Sequence, residues 1–349
     1  MTQGMNLEIV QTIAKEISKY RHVIITTHVN PDADAIGSAL GMSHLLDMIT
    51  EGKTQSTIVL PTQCPTNLRW LPGADQMLVW DEKGEHPNGC NQLPNADCVI
   101  VLDLNTISRL QSLGQAILGS GLPIINIDHH TYPEAFAYVQ WIDTDSASTA
   151  QMVAVLLKQF VQTDASLETH PLMASIAMCL YTGIMSDTGS FRFPRTTPFV
   201  FEITGYLVRQ GADPVAAYEQ TFNTNSFKRM QLLGSALAGM KLHHNGKLCT
   251  MVVTQKEMQL YECSVEDTEG LVHHTLSISG VLVGILFIEL PGTIKCSFRS
   301  KGDVHIRNLA AQYGGGGHVY AAGARVNDRT LKDVYEEITA RVKDVLLES

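Results

Sequence analysis

The sequence predicts an α/β protein: an N-terminal, doubly wound, mainly parallel sheet, then a smaller C-terminal α+β domain, with a cleft between them. Three observations predict this. Short β-branched runs alternate with helix-length segments through the first half of the chain. Acidic residues or histidines follow directly on several of those runs. Beyond about residue 240 the texture changes to longer strand-like runs closed by one amphipathic segment.

In order along the chain, Leu7, Val10, Ile13, Ala14 and Ile17 stand at helical spacing. The run 23–25 is too short for a helix and β-branched, so it reads as a strand. A polar loop follows, then a helix from about Ile36, where Gly37 and Ser38 let the helix begin close to the loop. Further strands are expected at 58–60, 99–102 and 124–127, with a helix over 106–119. Alternation of this kind implies a parallel sheet covered on both faces and joined by right-handed crossovers. Apolar helices are expected at 148–162 and 172–185. Residues 190–225 read as irregular, interrupted by Pro194, Pro198 and Pro214, and 226–239 as a connecting helix. Strands at 248–253, 281–290 and 293–299 follow, and Leu331, Val334, Ile338, Val342 and Val345 mark the closing helix.

Composition narrows the class. A hydrophobic content of 44% and a charged content of 17% suit a globular chain. The longest apolar run, 281–290, carries Gly284 and Glu289 and is too short to span a membrane. Residues 1–9 lack the basic and apolar pattern of a secretory signal. Seven cysteines, odd in number and without a C-x-x-C pair, read as thiols of a reducing compartment, so a cytoplasmic location is expected. The net charge of −10 is uneven: residues 1–235 hold 13 Lys+Arg against 22 Asp+Glu, residues 236–349 hold 12 against 13. An acidic first part argues against a passive nucleic-acid surface, and phosphate could approach it only over bound cations.

The chemistry-bearing residues gather where such cations would sit. His28, Asp32 and Asp34 follow the first strand, Asp103 follows the run 99–102, Asp128, His129 and His130 follow 124–127, and Asp187 ends the helix at 172–185. Ligand sites of parallel sheets lie at the carboxyl ends of strands. A lone Asp there is usually a cap or turn former, and a lone His is usually not a ligand. Together, however, so many carboxylates and imidazoles in one crevice would repel or protonate unless cations offset them. Oxygen and imidazole ligands without thiolate suit Mn²⁺ or Mg²⁺ better than structural zinc.

In the second part, Arg299 and Ser300 precede four glycines, 314–317, and His318. Gly315, Gly316 and Gly317 would let main-chain N–H groups approach an anion, Arg299 could grip a phosphate in bidentate fashion, and His318 would add a polar side chain. Tyr313 and Phe298 could stack on a base or belong to the core. Arg109 is read equally as a site contact or a surface pair.

The order His28-x-x-Pro31-Asp32-x-Asp34-x-x-Gly37-Ser38, then Asp103, then Asp128-His129-His130, then Ser186-Asp187-Thr188-Gly189 resembles the four motifs of the DHH phosphoesterases. Ser297-Phe298-Arg299-Ser300, the glycine run with His318, and Ala321-Ala322-Gly323 resemble the DHH-associated C-terminal domain. The resemblance covers nearly the whole chain and implies a catalytic domain at 1–189, a connecting helical segment at 190–239 and a substrate-binding domain at 240–349. It implies that His28 and Asp32 hold one metal ion, that Asp34, His129 and Asp187 hold a second, and that Asp103 bridges them. Asp128 would orient an imidazole, and His130 would face the phosphate. Asn105 stands where the family commonly has another polar residue or Gly.

The activity implied is hydrolysis of short oligoribonucleotides (the nanoRNase branch) or of 3′-phosphoadenosine 5′-phosphate (pAp), using two divalent ions, Mn²⁺ foremost. Alternatives are a cyclic or linear dinucleotide phosphodiesterase, a pyrophosphatase or exopolyphosphatase, and a non-catalytic nucleotide- or RNA-binding module. The pyrophosphatase relatives carry a different C-terminal domain, and a RecJ-like exonuclease usually needs a longer chain. The partners implied are short RNA or a small nucleotide and no membrane; a homodimer is open.

Overall fold

A computed structural model describes residues 7–317 and 319–347. The chain divides into two compact units, Met1–Thr224 and Asn225–Ser349. In the first, α1 (Leu7–Ile17), α2 (Ala33–Thr50), α3 (Ser112–Ser120), α4 (Thr149–Thr163), α5 (Met173–Asp187), α6 (Pro198–Arg209) and α7 (Pro214–Phe222) surround seven strands. These are β1 (His22–Thr26), β2 (Gln55–Leu60), β3 (Leu78–Trp80), β4 (Gly89–Cys90), β5 (Cys98–Leu102), β6 (Ile124–Asp128) and β7 (Val139–Ile142). All pairings are parallel, in the order β4-β3-β2-β1-β5-β6-β7. From β1 the chain winds outward through β2, β3 and β4, then returns to β5 on β1's other side, so the topological switch point lies between β1 and β5.

Side chains alternate across the sheet as a parallel strand requires. Val23, Ile25, Ile100 and Leu102 face the thick layer of α1, α2, α4, α5 and α6. Ile24, Val99 and Val101 face a thinner layer with Leu113 and Ile117 of α3. Within the thick layer α2 and α5 approach closely over glycines. A Cβ at Gly37 would stand 2.4 Å from the Cys179 carbonyl oxygen, and one at Gly41 2.5 Å from Leu180 Cδ2. Gly37 therefore serves helix–helix packing rather than the start of α2 near the loop, and α2 begins three residues earlier than Ile36.

Other boundaries also differ from expectation. The predicted helix at 106–119 is two pieces, a 3₁₀ turn Ile107–Leu110 and α3, separated by Gln111 at φ 54°. The stretch read as irregular contains α6 and α7, with Pro198 and Pro214 in their first turns. Proline at that position lacks only an N–H that the helix leaves unpaired anyway, so these prolines begin helices instead of interrupting them.

The second unit holds α8 (Phe227–Ala238), α9 (Gln255–Leu260), α10 (Arg307–Ala311) and α11 (Leu331–Leu347). Its strands are β8 (Lys241–His243), β9 (Leu248–Val253), β10 (Val283–Leu290), β11 (Thr293–Ser300), β12 (Gly316–Gly317) and β13 (Ala321–Asn327). They form a mixed sheet in the order β12-β13-β11-β10-β9-β8, parallel only between β9 and β10. Val283, Ile285, Phe287 and Phe298 pack against Val334, Ile338 and Val342 of α11. Among the described residues no helix is long and apolar enough to cross a membrane.

Candidate active site

The switch point gathers the predicted residues. His28 stands two residues beyond β1 and Asp103 immediately beyond β5. Asp103 adopts φ 60°, a left-handed conformation that Asp tolerates better than most residues. Asp32 is the N-cap of α2, its Oδ1 accepting from the N–H groups of Asp34 and Ala35 at 3.0 and 3.1 Å. Asp34 lies in the first turn of α2, His129 and His130 follow β6, and Asp187 is the last residue of α5.

Two trios of side chains each bring ligating atoms within 4.8 Å of one another: His28, Asp32 and Asp103, and Asp34, His129 and Asp187. Asp103 touches both. Its Oδ2 lies 3.4 Å from His28 Nε2 and its Oδ1 3.4 Å from His129 Nε2. His129 Nε2 also lies 3.3 Å from Asp187 Oδ2 and 3.8 Å from Asp34 Oδ2. A third grouping, Asp103, His129 and His130, shares members with these.

The imidazoles are set for ligation. His28 Nδ1 is 2.9 Å from the Val29 carbonyl oxygen and His129 Nδ1 3.3 Å from that of Ser146. A carbonyl only accepts, so Nδ1 carries the proton in both rings and Nε2 turns its lone pair into the cluster. His130 differs: its Nδ1 donates to Asp128 Oδ1 at 2.7 Å. Asp128 is fully buried and fixes that ring.

Electrostatics describes a cluster short of positive charge. Burial and the Asp103 and Asp32 charges push the Asp34 carboxyl well up. Burial together with Asp34, Asp32 and Asp103 raises the Asp187 carboxyl to about 9. Burial disfavours the charged His129 ring, but Asp103, Asp187 and Asp128 outweigh it and raise that imidazole to about 9. His28 is raised in the same way, burial being outweighed by Asp103 and Asp32. Burial alone would raise Asp103, yet its bonds to His129 and His28 hold it well below the usual carboxylate range. Retained protons thus stand in for missing cations. Inward Nε2 lone pairs, converging carboxylates and no thiolate fit divalent ions that accept oxygen and imidazole ligands.

Several contributors escaped the sequence reading. The N–H groups of Thr149 and Ala150 donate to Asp34 Oδ2 and Oδ1 at 2.7 and 2.8 Å, so the start of α4 grips this carboxylate with both arms. The Thr149 hydroxyl donates to Asp103 Oδ1 at 3.1 Å. Gly183 keeps the space open: a Cβ there would stand 2.6 Å from Ala150 Cβ and 3.0 Å from Asp34 Oδ1. The available signal was Ser148 capping a helix beside small residues. Asn105 pins the segment after His130, its amide donating to the Thr131 carbonyl at 2.8 Å. Arg109 is close enough for its charge to oppose protonation of His28, and its carbonyl accepts from the Val29 N–H at 3.0 Å.

In the second unit Arg299 is half-buried on β11 and its Nη1 donates to the Phe298 carbonyl at 2.9 Å. Ser300 donates its hydroxyl to the Val304 carbonyl at 2.6 Å, which occupies its proton within the loop. The glycine run also has local work. The N–H groups of Gly314 and Gly315 donate to the Ala311 and Ala310 carbonyls at the end of α10, so they do not form an open anion cradle. A Cβ at Gly315 would fall 2.1 Å from the Gly323 oxygen, and one at Gly317 2.4 Å from the Ala321 oxygen. Phe298 is core, and Tyr313 bonds Glu337 of α11 at 3.1 Å. His318 lies outside the described residues.

Residues 22–184 match the N-terminal domain of the DHH family and residues 247–348 match the DHHA1 domain. The bifunctional oligoribonuclease and PAP phosphatase NrnA of Thermus thermophilus is 32% identical over 325 residues, 93% of this chain and 90% of that protein. This chain belongs to the DHH family. A second DHH relative, the enzyme of the same name in Bacillus subtilis, is 28% identical over 335 residues, covering 95% and 97% of the two chains. An exopolyphosphatase-related protein from Bacteroides fragilis has a similar fold, with a TM-score of 0.89, 29% identity and full coverage of both chains.

Proposed function

We propose that this DHH protein is a cytoplasmic, divalent-metal-dependent phosphoesterase that hydrolyses short oligoribonucleotides and pAp, with Mn²⁺ as its preferred ion. The observation that carries the reading is the meeting of two ligand trios on Asp103 at the switch point. The names of relatives matching over nine-tenths of the chain support the substrate class.

His28, Asp32 and Asp103 would hold one ion, and Asp34, His129, Asp187 and Asp103 the other. Divalent ions supply Lewis-acid polarisation of a phosphoryl group and a hydroxide-like water at neutral pH. The protein's own part is positional. The start of α4 aims Asp34 and partly offsets the burial that opposes its charge, and the Val29 and Ser146 carbonyls fix the two ligating rings. Asp128 holds His130 so that its Nε2 meets a phosphoryl oxygen as charge builds there. Arg299 neutralises a phosphate elsewhere on the substrate.

The test is one assay of the purified chain with Mn²⁺, Mg²⁺ or excess EDTA against dinucleotides, longer oligoribonucleotides, pAp, cyclic dinucleotides and pyrophosphate. Mn²⁺-dependent turnover of dinucleotides and pAp is expected. Activity that survives chelation, or turnover confined to pyrophosphate, would overturn the reading.

A further inference from the structure

Two residues beside the cluster stand outside both ligand trios: Tyr132, two residues beyond His130, and Asn105, two residues beyond Asp103. Tyr132 is 90% exposed, more than any other large apolar or aromatic side chain among the described residues. A single exposed aromatic needs no explanation. Its backbone does. Tyr132 stands at φ 59°, a left-handed conformation that is an outlier for a bulky side chain. Glycine or asparagine would adopt it with less strain, and strain of this kind gathers at active sites and ligand clamps.

The strained conformation is held from outside the segment. Asn105 bonds both ends of the projection that carries Tyr132. Its side-chain amide donates to the Thr131 carbonyl at 2.8 Å, and its own carbonyl accepts from the Glu134 N–H at 2.8 Å. The Glu134 carboxylate accepts from the Ile107 N–H at 3.3 Å, and the Glu134 carbonyl accepts from the Gln140 side-chain amide at 2.9 Å. Phe136 packs against the core of the thinner layer. Pro133, with its fixed φ, removes further freedom. Tyr132 and Pro133 thus project from a stapled base, and the ring reaches solvent on a main chain already ordered. An ordered platform loses little entropy when a ligand arrives.

Position and charge say what such a ring would meet. Two residues of chain span at most about 7 Å, so the Tyr132 Cα lies no farther than that from the His130 Cα. His130 Nδ1 lies 3.6 Å from Asp103 Oδ1, so both sides of the staple start from the cluster. One sugar separates the phosphate of a nucleotide from its base, a span of the same order. Residues 131–140 include no Lys or Arg and one carboxylate, that of Glu134, which is engaged. They offer a phosphate nothing to pair with. A flat, uncharged aromatic surface one nucleotide's length from the cluster suits a nucleobase.

We propose that Tyr132 is a base-stacking platform of the catalytic unit, receiving the nucleobase next to the phosphate under attack, and that Asn105 is its positioning residue. This rests on the nucleotide-hydrolase reading above and adds a contact, on the catalytic unit itself, that separates a nucleotide from a phosphate without a base. Stacking tolerates all four bases, so the contact confers a preference for nucleotides without reading sequence.

The test measures kcat and KM of the parent, Tyr132→Ala, Tyr132→Phe and Asn105→Ala on one diribonucleotide and on two analogues with an abasic ribose in place of either base. Losing one stacked base to alanine substitution weakens binding roughly five- to 150-fold. Tyr132→Ala is therefore expected to raise KM for the dinucleotide about tenfold or more with little change in kcat. It should leave KM unchanged for the analogue that lacks the stacked base, which identifies that base. Tyr132→Phe should keep the parental KM, and Asn105→Ala should raise it by a smaller factor with the same dependence on substrate. The melting temperature of Tyr132→Ala should match the parent's, since the side chain it removes is exposed. An unchanged KM in Tyr132→Ala, or an equal rise on all three substrates, overturns the proposal. If the chain hydrolyses none of these substrates, ultraviolet crosslinking decides separately, using a dinucleotide that carries 5-iodouridine in the presence of Ca²⁺. An adduct mapped to Tyr132 then supports the platform, and adducts only elsewhere, or none, refute it.

Discussion

Gly183→Ala is a one-methyl change where α5 meets the start of α4 beside Asp34. The added Cβ would stand 2.6 Å from Ala150 Cβ, 3.0 Å from Asp34 Oδ1 and 3.3 Å from the Ala33 oxygen. Carbon atoms in contact prefer about 3.5–4.0 Å, so α4 and α5 must part by roughly 1 Å or the Asp34 carboxylate must swing away. Overpacking of this kind costs about 1–3 kcal/mol. Parting the helices also lengthens the 2.7 and 2.8 Å bonds from Thr149 and Ala150 to Asp34, and each bond to a charged group contributes about 1.5–3 kcal/mol. The expected destabilisation is about 2–4 kcal/mol, with a fall in melting temperature of roughly 2–4 °C for each of them. Thermal unfolding measured with and without Mn²⁺ reads both consequences, because a displaced Asp34 also weakens the stabilisation that the ion confers. Adding Ala150→Gly removes the nearest clash and should recover part of the loss, less about 1 kcal/mol for glycine in a helix. A single variant with parental melting and parental Mn²⁺ stabilisation would refute the account of how the helices hold this ligand.

Asp103→Asn keeps the side-chain shape and the left-handed backbone but removes the charge of the carboxylate that lies against both trios; kcat should fall on the order of 10³-fold or more, and substantial residual turnover would remove Asp103 from that role. Ion binding must displace the protons favoured by the raised Asp34, Asp187 and His129 groups, so calorimetry near pH 7 in buffers of different ionisation enthalpy should report net proton release; a slope near zero contradicts the site. Asp187 and His129 both bind protons more tightly folded than unfolded, so metal-free stability should fall as pH rises from about 4 toward about 9, their stabilisation being lost as pH passes the folded values. Denaturant midpoints in EDTA across that range check the sign. Gly315→Ala should destabilise the second unit, its Cβ falling 2.1 Å from the Gly323 oxygen, whereas Gly316→Ala should stay within about 0.5 kcal/mol on folding.

What could be read from the sequence follows from which interactions are local. The central strands announce themselves because burial on both faces forces apolar runs, unbroken in β5 and interrupted only by Asn126 over 124–127 of β6. The short outer strands β3 and β4, three and two residues long, carry no such pattern. Proline was misread in 190–225 because its effect depends on register: it breaks a helix interior but suits a first turn. The Asp and His residues were legible as a group because so many occur at strand ends. Thr149 and Ala150 were not, since a main-chain N–H leaves no mark in the sequence and its partner Asp34 lies 115 and 116 residues away. The glycine run illustrates the opposite failure. Four identical letters conceal a helix terminus, two close approaches and one open position.

The site's dispersal along the chain bears on biosynthesis. Its side chains arrive with residues 28, 32, 34, 103, 129 and 187, and the clamp on Asp34 needs the start of α4. A chain still emerging from the ribosome has every member of the first trio once residue 103 has been made, but lacks the second until residue 187 has been synthesised. Assembly of the second trio is therefore a late event that rewards completion of the unit and offers little to fragments. A pulse of chelator-sensitive protease resistance during translation would time that event, and would distinguish a finished catalytic unit from a collapsed precursor of the same length.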